Sequence, residues 1–141
     1  MKTKTLVLSI VTLLISVASF PQKAHSHKKD NLLFLLRQTE HINQAIKTIE
    51  QLQANAKTTL KPGKAVVIVC GDAVTSLTTK EAEAWVEKIS KYPNVSLMAC
   101  GLSLTKFNKT QNDLVKGIDY TENGFIKAFE LQKQGYLSVE L

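Results

Sequence analysis

Two cysteines, Cys70 and Cys100, are the side chains best suited to covalent chemistry, and each ends an apolar run and precedes a glycine. Val66-Val67-Ile68-Val69 leads into Cys70-Gly71-Asp72, and Val95-Ser96-Leu97-Met98-Ala99 leads into Cys100-Gly101-Leu102. A new helical pattern begins directly after Cys100. An α/β protein presents a reactive group in this way, at the carboxyl edge of a parallel sheet and against the amino end of a helix. Backbone N–H groups and the helix dipole favour negative charge there and lower the pKa of a thiol. Cys100 is therefore the candidate nucleophile, with Gly101, Leu102 and the following amides as candidate stabilisers of the sulfur anion. Gly101 would also let a donor sulfur come close to the backbone. Cys70 is a candidate second thiol, weighed against the common use of cysteine as a small, inert, buried hydrophobe.

Other chemistries find no support in the chain. It has no Gly-x-Gly-x-x-Gly, no phosphate-binding loop ending in Gly-Lys-Ser/Thr, and no acidic pair after the first apolar run. Dinucleotide, nucleotide and phospho-receiver functions are excluded on that ground. No Cys-x-x-Cys is present, which argues against a thioredoxin-type dithiol. Of three histidines, His25 and His27 flank a cleavage-like site and His41 falls on a predicted helix, so no metal site and no cofactor are expected. Asp72 and Lys106 read as solvated loop charges.

The elements that must position the cysteines follow from hydrophobic periodicity. Leu32–Leu36 and Ala65–Val69 are continuous apolar runs suited to strands buried on both faces, and Val95–Ala99 is a third. Ile42, Ala45, Ile46, Ile49 and Leu52 form one stripe of a helix over 39–57. Thr78-Thr79-Lys80-Glu81 predicts a capping box that opens a second helix, with Ala82, Trp85, Val86 and Ile89 on its inner face. A short helix over 102–108 and a short strand over 115–119 follow. Asn123 caps a last helix whose Phe125, Ala128 and Phe129 are expected to face inward, Gly135 ends it, and Tyr136–Val139 is a final strand. Strand and helix alternate throughout. The expected fold is α/β: one doubly wound domain of about five mainly parallel strands with helices on both faces, flavodoxin-like in kind. On a flavodoxin-like strand order, two spacings of ~4.8 Å would separate Cys70 from Cys100, beyond the ~7 Å Cα limit for a bridge, so no static disulfide is expected.

The amino terminus reads as an export signal. Lys2 and Lys4 precede an uncharged apolar stretch from Leu6 to Val17, and a polar, small-residue stretch runs to Ser26. Cleavage would follow Ser26 or Ser19. The apolar stretch is shorter than the roughly 20 residues a membrane span needs, so no stable membrane anchor is expected. The expected division is a signal peptide over 1–26, a linker over 27–30 and an α/β domain over 31–141. The full chain carries +6; Lys2, Lys4 and Lys23 leave with the signal, so 15 basic and 12 acidic residues remain, a balance of +3. That is too mild, and its lysines too scattered, for a nucleic-acid partner.

Val66-Val67-Ile68-Val69-Cys70-Gly71-Asp72-Ala73-Val74, Met98-Ala99-Cys100-Gly101-Leu102-Ser103-Leu104 and Leu131-Gln132-Lys133-Gln134-Gly135-Tyr136 together resemble the DsrE/DsrF-like family. This family includes the sulfur-relay proteins of the TusD type, and the resemblance runs from about Leu32 to the end of the chain. It implies a small sulfurtransferase or sulfur carrier, free of metal and organic cofactors. In such a protein the cysteine at the position of Cys100 takes up sulfane sulfur as a persulfide and hands it to a partner thiol. The partners implied are a sulfur donor, an acceptor protein or small thiol, and further copies of the chain in a trimer or hexamer. Two departures stand out. Many relatives are cytoplasmic, whereas this chain is expected in the periplasm or outside the cell. Relatives of this branch often carry histidine where Cys70 stands, so no role for that histidine transfers. The alternatives are a non-catalytic binding or assembly module on the same fold, and a redox sensor built on the Cys70 and Cys100 thiols.

Overall fold

The computed structural model describes residues 29–54 and 57–141. The expected signal peptide and the first two linker residues lie outside the described residues. The first strand, β1 (Asp30–Leu36), already begins at Asp30, the last residue of the expected linker. The chain continues through α1 (Thr39–Gln53), β2 (Pro62–Val69), a 3-10 segment (Gly71–Thr78), α2 (Glu81–Ser90) and β3 (Val95–Cys100). Then come α3 (Gly101–Lys106), β4 (Asp119–Thr121), α4 (Gly124–Lys133) and β5 (Leu137–Glu140).

The five strands form one parallel sheet in the order β4-β3-β2-β1-β5. Each of the first three crossovers advances the chain by one strand, and only the connection from β4 to β5 reverses direction. The expectation of a single α/β domain with helices on both faces holds. The flavodoxin-like order does not: β1 lies between β2 and β5, and β2 pairs directly with β3.

Alternate residues of each strand face opposite layers, as the pleat requires. Leu32, Phe34, Leu36, Ala65, Val67, Val69, Leu97 and Ala99 meet the apolar faces of α1, the 3-10 segment, α2 and Leu104 of α3. Trp85 is buried there as expected, and its indole N–H donates to Asn43 Oδ1 at 2.9 Å. The other face carries Leu33, Leu35, Val66, Ile68, Cys70 and Cys100, met among the described residues by α4 through Ala128 and Leu131, with Met98 and Tyr136 partly buried at its margin. Each fully buried aliphatic side chain contributes about 1.5–3 kcal/mol, so the first layer carries most of the stability.

Several local expectations are corrected. Thr78 makes no capping box: its hydroxyl donates to the Thr75 carbonyl, and α2 starts behind Lys80 without a side-chain cap. A hydroxyl-rich sequence folded into a 3-10 run instead, because Ser76, Thr78 and Thr79 each bond a carbonyl three residues back. The strand expected over 115–119 sits at 119–121, since Val115 and Ile118 pack on the first layer rather than pairing. Phe125 and Phe129 do not face inward; they are 38% and 68% exposed. The buried face of α4 is set by Gly124, Ala128 and Leu131, and the two phenylalanines stand one residue round the helix from it. Asn123 does cap α4, accepting from the amides of Phe125 and Ile126 at 3.0 and 3.3 Å. Gly135 (φ +87°) closes it in the left-handed conformation that glycine favours.

Candidate functional site: a buried thiol pair under the α4 amino terminus

Strand register brings the two cysteines together. Val69 pairs with Ala99, so Cys70 and Cys100 follow side by side at the carboxyl ends of neighbouring parallel strands. Both side chains lie on the α4 face, 1% and 0% exposed, and both are free thiols. The amino terminus of α4 covers them. The Gly124 N–H donates to Cys100 Sγ at 3.3 Å. A Cβ on Gly124 would stand 2.8 Å from Cys70 Sγ and 3.1 Å from Cys100 Cβ, so only glycine lets the helix come this close.

The pair holds its protons unequally. The neighbouring Cys70 thiol is the largest influence lowering the Cys100 pKa to about 5. Burial opposes it, while the Gly124 amide and the amide and hydroxyl of Ser103 reinforce it. No side-chain capping bond forms between Cys100 and α3, so Ser103 acts at longer range than Gly124. For Cys70 the same contact with Cys100 and its burial push the pKa well up, and Arg37 only partly offsets them. The contact thus favours negative charge on Cys100 and the proton on Cys70.

The surroundings define a small, mostly closed site. Gly71 (φ +61°) turns the chain after Cys70, and its N–H donates to Ser103 Oγ at 2.9 Å, which fixes the serine beside Cys100. Arg37 follows β1 and lies 5.4 Å from the Phe125 ring centre, with its guanidinium 2.8 Å from Glu140. Both charged side chains are more than half exposed, so this pair adds little stability. It does place a cation at the rim.

The expected site residues separate at this level. Cys100 and Cys70 come together. Leu102 is not an anion donor, because its N–H is already bonded to the Glu122 carbonyl at 3.0 Å. Gly101 approaches a ring rather than a sulfur donor: a Cβ there would collide with Tyr120. Asp72 and Lys106 are exposed, with Lys106 Nζ 5.8 Å from the Phe107 ring centre. Gly124 and Ser103 are the residues sequence reasoning missed. Glycine at the first position of a capped helix was a usable signal for Gly124, since alanine would favour the helix more. Ser103 stands three residues after the N-cap Cys100, where an amide and a hydroxyl both turn back toward the cap. Among the described residues, no group of three or more His, Cys, Asp or Glu could hold a metal ion. A shallow hollow of about 610 Å³ lined by Lys29, Asn31, Gln53 and Lys64 lies at the opposite end of the sheet and shares no residue with the pair.

The fold defines a class, a single α/β domain with a five-stranded parallel sheet, and a solved structure shares it. MTH1491, a protein of unknown function from Methanobacterium thermoautotrophicum, is similar over 81% of this chain and 100% of its own, with a TM-score of 0.66 and 17% identity. At that identity the likeness concerns the fold alone. No family model matches the chain, and no curated protein matches it.

Proposed function

We propose that this protein carries sulfane sulfur, taking it up as a persulfide on Cys100 and passing it to a partner thiol. The observation that carries this reading is the buried Cys70–Cys100 pair at the sheet edge, with the Gly124 amide donating to Cys100 Sγ, an arrangement that favours the thiolate of Cys100. A thiolate is the form that attacks a sulfur donor. A persulfide is more acidic than a thiol, so the same donors would favour the loaded anion. The resemblance to the DsrE/DsrF-like family around Cys70, Cys100 and Gly135 supports the same chemistry. The leader-like amino terminus supports an activity outside the cytoplasm, in the periplasm or beyond it.

Cys100 is closed to solvent, so a donor enters only when the first turn of α4 lifts. That helix buries just Gly124, Ala128 and Leu131, which makes such an opening inexpensive. The same thin cover supports assembly with further copies of the chain. Phe125, Ile126 and Phe129 of α4 are exposed apolar side chains beside the site. These side chains also favour a second reading, a binding module whose buried cysteines are structural.

Intact mass after exposure to inorganic polysulfide, for the wild type, Cys100→Ser and Cys70→Ser, tests the proposal. Reductant-sensitive sulfur uptake that vanishes in Cys100→Ser and persists in Cys70→Ser is expected. No uptake by any of the three proteins together with no change in the wild-type thiols, or uptake independent of Cys100, would favour the binding module.

A further inference from the structure

We propose further that Cys70 is a resolving thiol, which attacks the persulfide on Cys100, closes a Cys70–Cys100 disulfide and releases the sulfane sulfur as hydrosulfide. This inference rests on the sulfur-carrier reading and adds a second exit for the bound sulfur, one that needs no acceptor protein.

Geometry carries it. The register leaves Cys70 and Cys100 side by side on adjacent strands, and neighbouring strands run ~4.8 Å apart. That spacing falls within the ~4.4–6.8 Å Cα window of a disulfide, so the two thiols stand within reach of a bridge. Both side chains belong to one buried cluster on the same face. They also bracket a single point, since a Cβ at Gly124 would touch Cys70 Sγ and Cys100 Cβ together.

Burial then decides which thiol meets the persulfide first. An external acceptor must wait for α4 to lift, whereas Cys70 is already in place inside the closed site, and such placement raises effective concentration enormously. The step balances. A bond forms between Cys70 Sγ and Cys100 Sγ, and the bond from Cys100 Sγ to the sulfane sulfur breaks. The Cys70 proton passes first to the outer sulfur of the persulfide anion, which leaves Cys70 as the attacking thiolate, and the departing sulfur takes the broken bond's electron pair and leaves as hydrosulfide. Two electrons pass from the cysteine pair to the sulfane sulfur, so no outside oxidant takes part. Return to the dithiol requires a dithiol reductant, acting by exchange on the bridge once the site opens.

The same residues explain why Cys70 does not react first. Its proton is held by burial and by the neighbouring Cys100 sulfur, and it has a use for that proton only when an anionic leaving group appears beside it.

The test uses the full chain, oxygen-free, with inorganic polysulfide as the probe and removal of excess reagent before the mass is read. Cys70→Ser and Cys70→Ala are compared with the wild type, each checked for native folding by circular dichroism. Both variants are expected to load more slowly, having lost the Cys70 contact that favours the Cys100 thiolate, and then to keep the extra sulfur atom on Cys100. The wild type is expected to end two hydrogens lighter, with a Cys70–Cys100 cross-linked peptide and hydrosulfide released, its persulfide lasting less than a tenth as long. Equal persistence in wild type and variants would overturn the resolving role and leave the carrier reading intact. Failure of all three proteins to take up sulfur would overturn both.

Discussion

Replacing Gly124 with alanine puts a methyl group where the thiol pair leaves no room for one. Its carbon would stand 2.8 Å from Cys70 Sγ, 3.0 Å from Ile68 Cγ2 and 3.1 Å from Cys100 Cβ. All three neighbours are short side chains fixed on central strands, so the first turn of α4 must move outward. Overpacking of this kind costs ~1–3 kcal/mol, and alanine returns up to ~1 kcal/mol of helix propensity. A net loss of about 1–2 kcal/mol lowers the Tm of a domain this size by roughly 4–8 °C. The chemical effect is more specific. Outward movement weakens the Gly124 N–H bond to Cys100, now 3.3 Å. A hydrogen bond to a charged group contributes ~1.5–3 kcal/mol, and one pKa unit corresponds to ~1.4 kcal/mol. The Cys100 pKa is therefore expected to rise by about one to two units from its value of about 5. Alkylation of Cys100 by iodoacetamide, followed by mass on its own peptide across a range of pH, reads that inflection directly. A lower Tm with an unmoved inflection would refute the role given to the Gly124 amide. An unchanged Tm would refute the packing argument itself.

Three further outcomes are expected. Folding lowers the Cys100 pKa from 9.0 to about 5, so its contribution to stability grows as pH rises through that window and is lost as pH falls through about 5. The raised Cys70 pKa works oppositely: its contribution is complete below 9.0 and declines above it. Urea unfolding should therefore show wild-type stability rising from pH 5 toward 9 relative to a Cys70→Ser, Cys100→Ser double variant; parallel pH profiles would count against the thiolate. Asn123→Ala removes the α4 cap at a cost of ~1 kcal/mol, and alkylation of the buried pair should accelerate about fivefold if opening of that helix controls access. An unchanged rate would locate the entrance elsewhere. Phe129→Glu, at a position 68% exposed in the single chain, should alter monomer stability by less than ~0.5 kcal/mol while reducing the mass seen in sedimentation. Identical sedimentation would exclude this face from any assembly.

Much of this architecture was legible before any coordinates. The runs at Leu32–Leu36, Ala65–Val69 and Val95–Ala99 became the three inner strands β1, β2 and β3, because residues apolar on both faces have few other stable places. The α1 stripe and the Asn123 cap were equally readable, since each depends on local spacing. Strand order was not. Leu32–Leu36 would be buried on both faces in either order, so periodicity is blind to whether β2 neighbours β3, and the meeting of the cysteines depends on that fact alone. Phe125 and Phe129 misled for a related reason. Large apolar residues at helical spacing look like a core face, yet Ala128 and Gly124 are what α4 turns inward, because the space above the thiols admits only small groups.

The placement of small residues links the site to its surface. Gly124 brings the amino end of α4 down onto Cys100, and Ala128 lets the helix lie close along the sheet behind it. A helix held that low buries little, which leaves its phenylalanines outside and makes its first turn a light cover over the thiols. Reactivity and exposure thus have one origin. The contact that holds the Cys100 thiolate is also the lid over it, and the lid is light because nothing larger than glycine fits between the helix and the two sulfurs. A bulkier helix would protect the pair better and would lose the amide that charges it.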